Sequence, residues 1–130
     1  MADLRFFDKN NQRKEVSVFA SAPLDTSATL NDILFTLPEA SVVTRAYAVV
    51  TSPSGVASSD VDIKVGSTTV GGSIPVTADG VQVGTQTMTY FPTGGSVTVV
   101  AGGTAPDNAG VLIIIVEYIE TRRSEGTYTD

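Results

Sequence analysis

The sequence predicts an all-β chain folded as an antiparallel β-sandwich, and three observations carry that prediction. Helical periodicity is nearly absent. β-Branched runs alternate with Gly-, Pro- and Asp-containing turns, spaced about every dozen residues. The last strong apolar run, Val111 to Ile119, is uninterrupted and rich in Ile and Val, which suits a strand. Roughly seven to nine strands are expected, a number that fits a jelly roll first and an immunoglobulin-like sandwich second. Cys and Trp are both absent, so the antibody-type core signature is missing.

Taken in order, Leu4 to Phe7 and Val16 to Phe19 are weak strand candidates. The stretch from Phe19 to Asn31 is small, polar and Pro-containing, and reads as a connection. Residues 1–28 are therefore expected to form an N-terminal arm and connection, residues 29–121 the sandwich, and residues 122–130 a polar C-terminal tail. Ile33 to Leu37 is a strand ended by Pro38, which removes a ladder donor. Thr44 to Thr51 is a β-rich run. Val61, Ile63 and Val65 alternate with Asp60, Asp62 and Lys64, the mark of a half-buried strand. Gln86, Met88 and Tyr90 alternate with Thr87, Thr89 and Phe91, and Ser96 to Val100 is a further short strand. Gly66-Ser67 and Asp79-Gly80 are two-residue hairpin signals.

The final strand poses the central question. Val111, Ile113 and Ile115 face one way, and Leu112, Ile114, Val116 and Tyr118 the other. A strand with one wet face alternates apolar and polar, and this one does not. One face belongs to the core. The other is covered either by an arm of the same chain or by a neighbouring molecule.

Composition narrows the chemistry. A chain of 130 residues suits one domain and can bury roughly two-thirds of its unfolded surface. With no Cys and no His, there is no thiol nucleophile, no common zinc site and no Ser-His-Asp or Cys-His catalysis. The chain is not expected to be an enzyme or to hold a cofactor or metal. Net charge is −6, and six of the eight basic residues lie near the ends. Such an acidic body disfavours nucleic acid as a partner. The longest apolar run is too short for a membrane-spanning helix. Met1 to Lys14 is charged and no apolar signal region follows, so no secretory signal is expected.

Individual motifs have plain readings. Asp60 and Asp62 fit a solvated strand face better than a cation site. The paired glycines belong to loops, because neither a G-x-G-x-x-G nor a Walker pattern occurs. Tyr90-Phe91-Pro92 suits core packing at a strand end better than a sugar-stacking platform. Phe6-Phe7, beside Arg5 and Lys9, suits an edge strand or an anchor in a partner surface.

Several phrases in order carry a family resemblance. These are Leu34-Phe35-Thr36-Leu37-Pro38, then Val42 to Thr51, Val61-Asp62-Ile63-Lys64-Val65-Gly66, Phe91-Pro92-Thr93-Gly94-Gly95-Ser96-Val97-Thr98-Val99, and Val116-Glu117-Tyr118-Ile119. Together they resemble the jelly-roll capsid decoration, or cement, proteins of tailed bacteriophages, over Ile33 to Glu120. The resemblance implies a structural virion protein, made in the host cytoplasm and carried on the capsid exterior. There it binds the major capsid protein at subunit junctions and associates with itself as a dimer or trimer. It transfers no catalytic residue. The alternative is a tail or fibre module that binds a host glycan or another virion protein. From the residues themselves, Arg5, Phe6, Phe7, Lys9, Arg13 and Lys14 are the expected docking set. Leu112, Ile114 and Val116 are the expected self-association set.

Overall fold

The computed structural model describes residues 15–26, 31–107 and 109–121. These form eleven strands: β1 (Ser17–Ala20), β2 (Leu24–Asp25), β3 (Ile33–Leu37), β4 (Ser41–Ser52), β5 (Asp60–Val65), β6 (Thr68–Pro75), β7 (Gly80–Gln82), β8 (Thr85–Gln86), β9 (Thr89–Phe91), β10 (Gly95–Ala101) and β11 (Val111–Glu120). They make two antiparallel sheets packed face to face, a β-sandwich. The first sheet runs β1-β11-β4-β7, with β2 also on β11 and β9 also on β4; the second runs β3-β10-β5-β6-β8.

Alternation dictates the core. Leu112, Ile114 and Val116 of β11 and Val43, Ala46, Ala48 and Val50 of β4 point inward from the first sheet. They meet Val61, Ile63 and Val65 of β5 and Val97 and Val99 of β10. Where β6 faces Ala46 of β4 the residue is glycine. A Cβ on Gly71 would stand 2.6 Å from the carbonyl oxygen of Ala46, so β6 crosses β4 at a contact only glycine permits.

Both bulges in the β4–β11 pair carry a threonine. The register shifts between Val111 and Leu112 and between Glu117 and Tyr118, leaving Thr51 and Thr44 as the extra residues of β4. Each hydroxyl donates to a carbonyl of β11, Thr51 to Val111 at 3.2 Å and Thr44 to Glu117 at 3.1 Å. At one end of the sandwich, Asp107 ties the loops together. Its carboxylate accepts from Ser54 Oγ and from the Gly55 and Ala109 N–H groups. The buried Thr26 hydroxyl donates to the carbonyl oxygen of Asp107. The Gly55 N–H first, with Ala109 N–H and Ser54 in support, holds the Asp107 carboxyl below its ordinary range.

Four expectations are corrected. Residues 17–25 are not an arm: β1 and β2 form the edge of the first sheet, with Leu24 in the core. The run from Gln86 to Phe91 is not one strand. It divides into β8 and β9, which belong to opposite sheets. Gly66-Ser67 does close a hairpin, with Val65 opposite Thr68 and Gly66 at φ 61°, but Asp79-Gly80 leads from the second sheet to the first. Finally, Leu112, Ile114 and Val116 are each 0% exposed within their own chain. They face the second sheet, so they do not form a self-association surface.

Candidate functional site

With Leu112, Ile114 and Val116 inside, the opposite face of β11 is the outer one, and the register shows what it joins. Ile113 lies opposite Val49, and Val49 opposite Val81. One step along, Ala20, Ile115 and Tyr47 form a second row. The third row is Val18, Glu117 and Arg45. Beyond the bulge, Ile119, Val42 and Tyr90 make a fourth. Four successive rows of the outer face are thus striped: two free of charge, one carrying both charges, and another free of charge. Beyond Ile113, Asp25 of β2 stands opposite Val111 at the end of the face. Every described strand belongs to one of the two sheets, so no described strand lies over this face.

The same construction gives the opposite result on the second sheet. There Lys64 stands opposite Thr98 and Thr69, Asp62 opposite Val100, and Ser96 opposite Thr36. Its carboxylates are occupied locally: Asp60 accepts from Thr104 N–H and Asp62 from Ser73 N–H. That face is an ordinary solvated one. Exposed apolar side chains line up in register on the first sheet, where Val18 and Val81 are each 60% exposed and Tyr90 is 53% exposed. On the second sheet Ile33, at the start of the edge strand β3, is the one large exposed hydrophobic of its described strands. A wet sheet face is usually polar, and a contiguous apolar one marks an interaction surface.

The charged row is held in place. Tyr47 donates its hydroxyl to Glu117 at 3.0 Å, and the Arg45 guanidinium lies 5.0 Å from the centre of the Tyr47 ring. Desolvation, followed by the Glu117 carboxylate, raises the Tyr47 phenol above its ordinary 10.0. Arg45 and Glu117 therefore stand side by side across β4 and β11 on a surface otherwise dominated by apolar side chains.

Other places offer less. A shallow cleft of about 330 Å³ lies where β1 and β2 approach the start of β3, lined by Phe19, Leu24, Asp32 and Ile33 among others. Phe19 and Phe35 stack beside it at 4.4 Å, closing the sandwich between the β1 and β3 edges. Asp32 is the one acidic side chain in its lining. No group of three or more His, Cys, Asp or Glu side chains is placed to hold a metal among the described residues. Tyr90 and Phe91 separate, Tyr90 outward and Phe91 into the core.

The expected docking set, Arg5, Phe6, Phe7, Lys9, Arg13 and Lys14, lies outside the described residues. The sequence offers Val111, Ile113 and Ile115 as one of the two faces of the final strand, but the face expected to self-associate, Leu112, Ile114 and Val116, is the buried one. A usable signal was present: Glu117 is in phase with Ile113 and Ile115, and a charge in phase marks the wet face. The contributions of Arg45, Tyr47, Val49, Val18 and Val81 depend on register, which no local pattern in the sequence shows. No protein-family model, curated protein or solved structure is found to match the chain.

Proposed function

We propose that the protein is a structural virion component that binds the outer surface of a phage capsid and stabilises contacts between capsid subunits. The observation that carries this reading is the asymmetry of the sandwich: one outer face is solvated, and the other presents contiguous apolar rows suited to a protein partner. The strand order supports the jelly-roll reading behind it. Take β1 with β2 as one interrupted edge strand and β7 with β9 as another, with β8 as an extra edge piece on β6. The chain then has eight principal strands. The first, eighth, third and sixth lie in one sheet, and the second, seventh, fourth and fifth in the other, as two Greek keys rolled together would place them.

A protein that binds only the assembled lattice stabilises it by mass action, and repeated copies on a symmetric shell add avidity. Residues Arg5, Phe6, Phe7, Lys9, Arg13 and Lys14 are the proposed contacts to the major capsid protein. The test is co-sedimentation of the protein with otherwise complete heads that lack it. Saturable binding at a fixed ratio to capsid subunits, with better survival of heated heads, is the expected result. Deleting residues 1–14 should weaken that binding. No binding to heads would overturn the reading in favour of a tail or fibre role.

A further inference from the structure

We infer that the outer face of the first sheet is occupied by a second copy of this chain, paired about a two-fold axis that runs parallel to the strands between β4 and β11. The inference rests on reading this face as an interaction surface, and it does not require capsid binding.

The stripes carry the argument. A two-fold axis along the strands leaves each row at its own height and exchanges left for right. β4 of one copy then lies over β11 of the other. Val49 meets the other copy's Ile113, and Tyr47 meets its Ile115. Val42 meets Ile119. In the charged row, Arg45 meets Glu117 and Glu117 meets Arg45. Among these four rows apolar falls on apolar, and the row holding Arg45 and Glu117 meets itself with opposite signs. Asp25, opposite Val111 on the β2 edge, lies at the end of the face beyond them. An axis across the strands reverses the order of the rows. It places Arg45 and Glu117 either on apolar rows of the other copy or, where it passes through their own row, Arg45 on Arg45 and Glu117 on Glu117. Burial of an unpaired charge is unfavourable, so the pattern selects one arrangement. Such a pairing is isologous and closes on itself.

The dimensions suffice. The strands of this sheet, twelve residues in β4, ten in β11 and six in each interrupted edge, about 4.8 Å apart and rising about 3.4 Å per residue, give a footprint of roughly 550 Å² per copy. The pair buries about 1,100 Å², at the ~1,000 Å² that a specific interface needs. Two sheet faces stack about 10 Å apart, as in any sandwich core. The exposed Val18, Val81 and Tyr90 side chains lie towards the two edges of this face and are covered by the opposite copy.

The test is sedimentation of the full chain at micromolar concentration. The wild type is expected to be a dimer. Ile115→Lys is expected to weaken dimerisation by at least about tenfold, with its thermal unfolding transition retained. The charge pair supplies a test that does not depend on that variant. Arg45→Glu makes the row acidic on both strands, and Glu117→Arg makes it basic, so each alone is expected to be monomeric. Mixed together, the two variants are expected to form a heterodimer, because every cross-interface contact in the row is then attractive. A monomeric wild type would overturn the inference, as would dimers that persist in both charge variants or a mixture that stays monomeric. Head binding by a monomeric wild type would overturn the pairing and leave the capsid role standing. A dimer that ignores heads would do the reverse.

Discussion

The side-chain amide of Gln86 takes the place of a missing strand beside Ala46. Its Oε1 accepts from the Ala46 N–H and its Nε2 donates to the Ala46 carbonyl, both at 2.8 Å. Ala46 lies in the gap between the segments of β4 paired with β9 and with β7. On the far side of the same sheet, Ser21 does the equivalent for Ile114 across the break between β1 and β2. Its N–H donates to the Ile114 carbonyl, and its hydroxyl accepts from the Ile114 N–H, each at 2.9 Å. Both edge strands of the first sheet are thus interrupted, and at each break a side chain satisfies the backbone of the neighbouring strand, Ala46 on one side and Ile114 on the other. Interrupted edges also offer a poor template for strand addition.

Removing the amide should expose that arrangement. Gln86→Ala leaves the donor and acceptor of the buried Ala46 unpaired, a loss of about 1–3 kcal/mol. Urea unfolding should show a lower midpoint with an unchanged slope. Gln86→Leu should fare no better, because packing volume does not replace the two hydrogen bonds.

Gly71→Ala should destabilise by about 1–3 kcal/mol through overpacking. The added carbon would meet the Ala46 carbonyl oxygen at 2.6 Å, and that carbonyl is held in place by the Gln86 amide. A thermal melt compares it with Gly72→Ala. There the nearest atom is a Thr69 side-chain methyl at 3.3 Å, so a smaller effect is expected.

The two faces of β11 should respond oppositely to truncation. Ile114→Ala, in the core, should cost about 2–5 kcal/mol of unfolding free energy. Ile115→Ser, on the outer face, should cost far less in stability and act on association. Denaturant titration and sedimentation on the same two variants separate the effects. Equal losses of stability would contradict the assignment of faces.

Acid should weaken the loop clasp. The Asp107 carboxyl in the folded chain lies below its ordinary 3.8. Its contribution is therefore present above 3.8 and is lost as pH falls through the folded value. Asp107→Asn should lower stability at neutral pH. It should also flatten the decline below pH 3.8 relative to the wild type, read as unfolding midpoints across an acid series.

Sequence by itself determined the class of fold and most of its strands. Val61 to Val65 alternates cleanly, Pro38 ends a strand and Gly66-Ser67 turns one, because these are local effects of side-chain geometry and backbone freedom. It also determined that both sides of Val111 to Ile119 are apolar. Which side is inside was decided by tertiary structure, because inside and outside depend on where the second sheet packs. The same holds for Gln86 to Phe91, whose even alternation concealed a change of sheet; alternation records facing, not partnership. The striped surface exists only once register sets Arg45 beside Glu117 and Val49 beside Ile113. Register comes from long-range pairing and from the bulges at Thr44 and Thr51, and no local pattern in the chain encodes it.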